Sequence, residues 1–454
     1  MQLLPPLKRM SGLQVVQAMV LAGVVLIVLS QVFPEPSARA IIRSAVTSPP
    51  TAAATLAPTV LSSLMLTTAA PTARPTSSEF AVPVGVDRPR MVLRSPILRR
   101  IIEEEKAVIT RQWGNATQAQ AKWHFDWCRT PNRSYEVNQC ISFSIRNGLA
   151  YVNTHLPAHL SRDRTVLLNI KRHLASFPEK LPDVDFTVFM HDGRAEYDHL
   201  PIMAFCRFLT SHAGIPIPDF TFHSFPESVL AGEKSHSFDY LFKYLGTMPE
   251  GVSHLDHWKA RIRDVFWRGD ILGKRALDIV GIDAARKEPP VPINVESITW
   301  IAQHSGQMSS SARGSLTTLL DQCKHQFLVH LEGWTYSSRL KYLMLCGSPV
   351  FLAPRRFNEW WYAALDNLYI PVEPFFANFT AALRWAAEHP VESADIGRRA
   401  RAMLHHILQP HMGDEYFVEV IRHLAKEGWT YKNAQLGRLL DDHLVNPAPC
   451  LVCR

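Results

Sequence analysis

The residues best suited to hold a charged ligand lie in Gly333-Trp-Thr-Tyr-Ser337-Ser338-Arg339, between a short apolar strand at 326–331 and a helix at 338–346. A helix start exposes unpaired backbone N–H groups and the positive end of the helix dipole, and Arg339 adds a planar fork of donors. The chemistry offered is anion binding, and a diphosphate fits it best. Ser337 and Ser338 suit plain helix capping equally well, and Arg339 suits a solvated surface. A second basic turn follows Asp264-Val-Phe-Trp: Arg268 and Gly269 end a short apolar strand, and Lys274 and Arg275 open the next helix. The competing reading of Arg268 is a strand-end arginine in a surface ion pair. Asp192 closes the apolar strand 184–190, where a carboxylate would face a ligand cleft, although loop aspartates are also common turn formers.

The elements that must position these residues alternate. After the first strand and helix come a strand at 349–353, a helix at 357–365 and a strand at 368–372. Short β and α segments in alternation predict a parallel, doubly wound sheet with ligands at the carboxyl ends of its strands. Upstream, Ser95-Pro96 starts a helix running to Trp113, and Asn147-Gly148 between alternating apolar residues predicts a hairpin over 141–152. A helix at 164–175 precedes the Asp192 strand. A strand at 218–225 and a helical or irregular crossing at 237–245 follow. The tail reads as helices at 376–388, 394–408 and 415–427, with Trp385, Leu404, Ile407 and Phe417 packing on the sheet or across to the first domain. Asp183-Val-Asp185 spells a DxD, a carboxylate pair able to hold a metal ion, but it lies on the entry side of the apolar strand rather than beyond its end and reads as an entry turn.

Residues 11–33 carry no charge and at about 1.5 Å per residue can cross a hydrocarbon core of roughly 30 Å. Lys8 and Arg9 before this run and Glu35 after it predict a single-pass type II anchor: 1–10 as a cytosolic tail, 11–33 as the spanning helix and the rest luminal. A cleavable signal peptide is the alternative, favoured by Ala38-Arg39-Ala40 but needing an apolar core of only about 7 to 15 residues. Residues 34–87 are rich in Pro, Ala, Ser and Thr and read as a disordered stem. The sequons at Asn115, Asn132 and Asn378 suit a luminal chain. With 47% hydrophobic and 20% charged residues among 454, the remainder can bury two domain-sized cores. The net charge of +7 comes without any block of five basic residues, so no nucleic-acid partner is expected.

The seven cysteines should mostly pair in an oxidising lumen. Cys323 and Cys346 could meet across the strand–helix unit, and Cys128 with Cys140 is a local pair. Cys450 and Cys453 form either a disulfide or a metal half-site with no second half, and Cys206 is expected to be buried and unpaired.

Gly333-Trp-Thr-Tyr-Ser-Ser-Arg-Leu-Lys-Tyr-Leu, then Cys346-Gly-Ser, Glu359-Trp360 and Tyr369-Ile-Pro-Val, resemble in order the C-terminal signature of family 90 glycosyltransferases. These include the protein O-glucosyltransferases and the fungal capsule-associated xylosyltransferases. The resemblance extends more weakly upstream to about Asn169. It implies a GT-B fold, two Rossmann-like domains facing a cleft. The acceptor-side domain would be 88–245, the nucleotide-sugar domain 246–410, and 411–454 a C-terminal helix and tail. It also implies an inverting, metal-independent enzyme of the Golgi or endoplasmic reticulum, with no cofactor, that moves glucose or xylose from a UDP-sugar to a hydroxyl of a protein or glycan. Leu181-Pro-Asp-Val-Asp-Phe and the strand-closing Asp192 look like the family segment that carries the catalytic base. Arg268, Gly269 and Arg275 resemble part of the donor site, joined by Gly333, Ser337, Ser338 and Arg339. The family also has a bridge of the Cys323 to Cys346 spacing. Trp267 and Asp270 depart from the family pattern, which usually has Phe and a small hydroxyl residue there. Two other classes remain: a carbohydrate-binding protein that has lost catalysis, and a metal-dependent transferase using Asp183 and Asp185.

Overall fold

The computed structural model describes residues 95–128, 140–153, 160–176, 181–190, 199–211, 213–225, 234–270, 274–297 and 317–445. The tail, membrane segment and stem expected over 1–87, together with Asn132, Asp192, Cys450 and Cys453, lie outside these residues. No helix among the described residues is long and apolar enough to cross a membrane.

The helices are α1 (Pro96–Trp113), α2 (Gln118–Trp127), α3 (Leu160–Ala175), α4 (Phe238–Tyr244), α5 (His254–Lys259), α6 (Lys274–Ala285), α7 (Leu319–Gln322), α8 (Arg339–Leu345), α9 (Phe379–Glu388), α10 (Pro390–Ile407), α11 (Pro410–Lys426) and α12 (Leu440–Val445). The strands are β1 (Cys140–Arg146), β2 (Leu149–Val152), β3 (Val184–Phe189), β4 (Ile202–Ala204), β5 (Arg207–Phe208), β6 (Ile215–Pro216), β7 (Ile262–Gly269), β8 (Ile293–Ser297), β9 (His325–His330), β10 (Val350–Leu352), β11 (Phe357–Asn358), β12 (Ile370–Pro371) and β13 (Arg438–Leu439).

The first sheet has the order β13-β2-β1-β3-β4-β6. Its β1–β2 hairpin closes on Asn147 and Gly148 at φ of 53° and 81°, the left-handed pair that a two-residue turn needs. The β1–β3 pair is antiparallel, whereas β3, β4 and β6 run parallel, so this half is a mixed sheet. Helix α11 packs on α1, α3 and β3, and β13 pairs with β2, so the C-terminal segment returns to the first sheet.

The second sheet is entirely parallel, in the order β12-β10-β9-β7-β8. Counted along the chain this is 2-1-3-4-5, a doubly wound order whose direction reverses between β7 and β9. Alternation along the strands gives it two apolar faces, as a parallel sheet covered on both sides requires. Val265, Trp267, Phe327, Val329 and Phe351 face one core, with Ile282 of α6 and Leu383 of α9. Phe266, Leu328, Val350 and Leu352 face the other, which continues unbroken into the core of the first sheet. Both sheets thus belong to one compact unit.

Several expectations are corrected by tertiary contacts. The helix expected at 357–365 is the short strand β11 followed by a 3₁₀ turn at Tyr362–Ala364. Strand β11 pairs with β5, Phe357 stacks on Phe208 at 4.5 Å, and the Glu332 carboxylate accepts the amides of Arg356 and Phe357, which holds that backbone extended. The strand expected at 218–225 is a 3₁₀ turn, Phe220–Phe222, capped by the Asp219 side chain on Thr221 N at 3.0 Å. Trp385 is 38% exposed and stacks on His389 instead of packing on the sheet, whereas Leu404, Ile407 and Phe417 are buried. Ser95 does sit before α1, but its hydroxyl bonds His406 instead of capping. Disulfides join Cys323 to Cys346 and Cys128 to Cys140, and Cys206 is buried outside both. Asn115 is exposed on a turn, and Asn378 is half-buried with its Oδ1 accepting Glu373 N.

Candidate active site

Ligands of a doubly wound sheet bind outside the carboxyl ends of its strands where the strand order reverses. Here that point lies between β7, which ends in Arg268 and Gly269, and β9, which runs out through Leu331 and Gly333 to Arg339. Arg275, in the first turn of α6, reaches the same place.

Arg339 donates from Nη1 to the carbonyl of Arg268, and its guanidinium carbon lies 5.7 Å from the centre of the buried Trp267 ring. Arg275 holds its own guanidinium carbon 5.9 Å from the same ring and donates to the carbonyls of Asp270 at 3.0 Å and Leu331 at 3.3 Å. The two glycines make room for these groups. A Cβ on Gly269 would stand 2.8 Å from Arg339 Nη2, and one on Gly333 would stand 3.2 Å from Arg275 Nη2. Burial pushes Arg339 down to about 9, with the charge of Arg275 adding to the shift. Arg275 is pushed down to about 10 by burial, opposed by Asp270 and Asp278. No carboxylate among the described residues offsets Arg339 in this way. Two cations held together and largely withdrawn from water form a site that a dianion would relieve.

The turn that carries Arg339 is itself clamped. The buried Glu332 carboxylate accepts Arg356 N at 3.0 Å and Arg356 Nε at 3.4 Å, and Arg356 Nη2 donates to Gly333 O at 3.2 Å. Ser338 occupies the position before α8 with no side-chain cap bond, and Ser337 is buried next to it. Helix α8 has only seven residues. Its dipole contributes little, so the positive potential comes from the guanidiniums more than from the helix start emphasised by the sequence.

The structure does not bring every candidate together. The Arg268 side chain turns along β8, donating to Asn294 O at 2.7 Å and Asn294 Oδ1 at 2.6 Å and pairing with Glu296 at 3.3 Å. What it gives the crevice is its carbonyl. Asp185 is buried and held by Arg146 at 2.8 Å, by Ser144 and by Tyr431 N, while Asp183 accepts Asn147 N at 2.8 Å. The Asp183/Asp185 pair is thus committed to the fold at the amino end of β3. Among the described residues, no group of three His, Cys, Asp or Glu could hold a metal ion.

Some participants escaped the sequence reading. Trp267 appeared only as a departure from a family pattern, yet it is the shelf under both guanidiniums. Asp219, Tyr336 and Lys341 carried no spacing signal, because their meeting depends on the approach of the two sheets. That approach is between carboxyl ends. Strand β5, which follows β4, pairs with β11, which follows β10, and Asp219 beyond β6 accepts the Tyr336 hydroxyl at 2.9 Å.

The sequence model of the family described as Glycosyl transferase family 90 matches residues 129–433, and the chain belongs to that family. It is similar to protein O-glucosyltransferase 3 of Homo sapiens, with 24% identity over 271 residues, 58% of this chain and 49% of that protein. It is also similar to protein O-glucosyltransferase 1 of Homo sapiens and of Mus musculus, each 31% identical over 93 residues, 20% of this chain and 24% of the relative. The chain thus spans about half the length of the first relative and about a quarter of the other two.

Proposed function

We propose that this chain is an inverting glycosyltransferase of GT-B architecture that transfers glucose or xylose from a UDP-sugar to a hydroxyl of a protein or glycan in the secretory pathway. The observation that carries the reading is the pair Arg275 and Arg339, stacked over one indole at the switch point of a parallel sheet. A diphosphate between them neutralises both, and fixed cations stabilise the charge that grows on departing UDP without reorganising as it forms. Ser337 and Ser338 offer hydroxyls beside that position. This chemistry draws leaving-group stabilisation from arginine and needs no divalent ion. Asp192, a few residues past the end of β3, is the base that takes the acceptor proton.

Two features support a luminal setting: the disulfides Cys128–Cys140 and Cys323–Cys346, which persist in oxidising compartments, and the uncharged run at 11–33, which anchors the chain in the Golgi or endoplasmic reticulum membrane. The names of the relatives, protein O-glucosyltransferases, favour a protein hydroxyl as acceptor.

The test is UDP release by the full chain from a panel of UDP-sugars, with and without EDTA, in wild type and Asp192→Asn. Turnover of UDP-glucose or UDP-xylose that EDTA leaves intact and Asp192→Asn nearly abolishes is the expected result. Loss of turnover in EDTA overturns metal independence, and donor binding without turnover indicates a carbohydrate-binding protein instead.

A further inference from the structure

Tyr336 and Lys341 flank the Ser337-Ser338-Arg339 turn, and both reach the same carboxylate. The Tyr336 hydroxyl donates to Asp219 Oδ2 at 2.9 Å, and Lys341 Nζ lies 3.4 Å from each Asp219 oxygen. Asp219 comes from the other sheet, three residues beyond the end of β6. It is rooted there by Thr221 N and Thr221 Oγ1, which donate to Oδ1 at 3.0 and 2.5 Å, and by Asn169 of α3, which donates to its carbonyl at 3.2 Å. Asp219, Lys341 and Glu359 are all buried, and Lys341 also sits 3.9 Å from Glu359 Oε2 and 4.6 Å from the centre of the Phe222 ring. Tyr342 adds a second tie between the same elements, donating from its hydroxyl to Thr221 O at 2.8 Å.

We infer that Asp219 is a positioning residue for the donor turn, a carboxylate of the first sheet that grips the turn on both sides of Arg339 and so sets where its guanidinium stands. The inference rests on the reading of Arg339 as a diphosphate ligand. A buried ion pair without water to replace a lost partner holds its geometry firmly, and removing one member leaves an unpaired charge. The turn cannot shift as a body without breaking the Tyr336 and Lys341 contacts together. The same contacts register the two sheets against one another beside this turn, so the seating of the sheets and the placement of Arg339 are coupled. Burial pushes Glu359 up to about 7, as expected where Lys341 and Asp219 already balance one another.

A double-mutant cycle on UDP release by the full chain tests this. Asp219→Asn alone strands the Lys341 charge, so the informative variants are Asp219→Asn/Lys341→Met, which removes both charges, and Tyr336→Phe, which removes one hydrogen bond and no charge. With the melting temperature recorded for each, the first should lose roughly tenfold in kcat and the second a few-fold, both with smaller changes in donor KM. In an Arg339→Ala background these losses should vanish, because a residue that acts through Arg339 has nothing left to position. Losses that multiply unchanged in that background, or wild-type kinetics in both variants, overturn the positioning role while leaving the donor reading intact. Normal turnover of Arg339→Ala alone overturns the donor reading, and the positioning role with it.

Discussion

The guanidinium of Arg339 lies over the indole of Trp267, 5.7 Å from the ring centre, with one nitrogen bonded to the carbonyl of the residue that follows that tryptophan. Among the described residues the arginine is therefore held by the end of β7 and not by a carboxylate, which leaves its charge available to a ligand. Arg339→Ala should lose roughly 100-fold in transfer rate, the scale of deleting one oxyanion-type donor. Arg339→Lys should recover only part of that loss, since an ammonium keeps the charge without the bidentate fork. Rate and UDP affinity measured on both variants check this.

Gly269 gives an independent probe of the same geometry. A Cβ there would stand 2.4 Å from Trp267 Cζ2 and 2.8 Å from Arg339 Nη2, so Gly269→Ala must move the shelf or the arginine. Overpacking of this kind costs about 1 to 3 kcal/mol, and a displaced guanidinium should lower turnover by roughly tenfold or more. An alanine variant that keeps wild-type turnover would show that the crowding is harmless.

The bond between Cys323 and Cys346 closes a segment with a sequence separation of 23 that contains β9, the turn leading to Arg339 and α8. Chain-entropy reasoning gives it about 3 kcal/mol. Cys323→Ser should therefore lower the melting temperature by roughly 4 °C in a unit of this size, and reducing agent should have no further effect at this bridge. Calorimetry with and without reductant decides it.

Acid should weaken the fold through His124. The ring is fully buried against Trp429, neither nitrogen has a hydrogen-bond partner among the described residues, and burial pushes it down to about 3. Below its unfolded value near 6.5 the unfolded chain binds a proton that the folded chain refuses, so the stability present above about 6.5 is lost as pH falls. Between pH 7 and pH 5 this one group removes about 2 kcal/mol. His173, pushed down to about 4 chiefly by burial, acts in the same direction. Denaturant unfolding at the two pH values should show a smaller loss for His124→Phe than for the wild type, and equal losses would exclude His124 as the cause.

Local signals in the sequence were sufficient for much of the scaffold. Ser95-Pro96 marked the start of α1, Asn147-Gly148 marked the hairpin, and the run from Asp264 to Arg275 marked β7, its turn and the opening of α6. Each depends on backbone preferences of adjacent residues, which act before any tertiary contact forms. The alternation of short apolar runs likewise pointed to a parallel sheet with ligands at its strand ends, while the grouping of Gly269, Gly333 and Arg339 was implied by the family resemblance. What only the tertiary structure decided is where side chains point once elements compete for them. Arg268 spends its guanidinium on Asn294 and Glu296, residues 357–365 yield their helix to pairing with β5, and Asp219 meets a lysine 122 positions away. The physical reason is that burial makes each polar group take the nearest partner the packed sheets provide, and nearness in space across two sheets leaves no periodic trace along the chain.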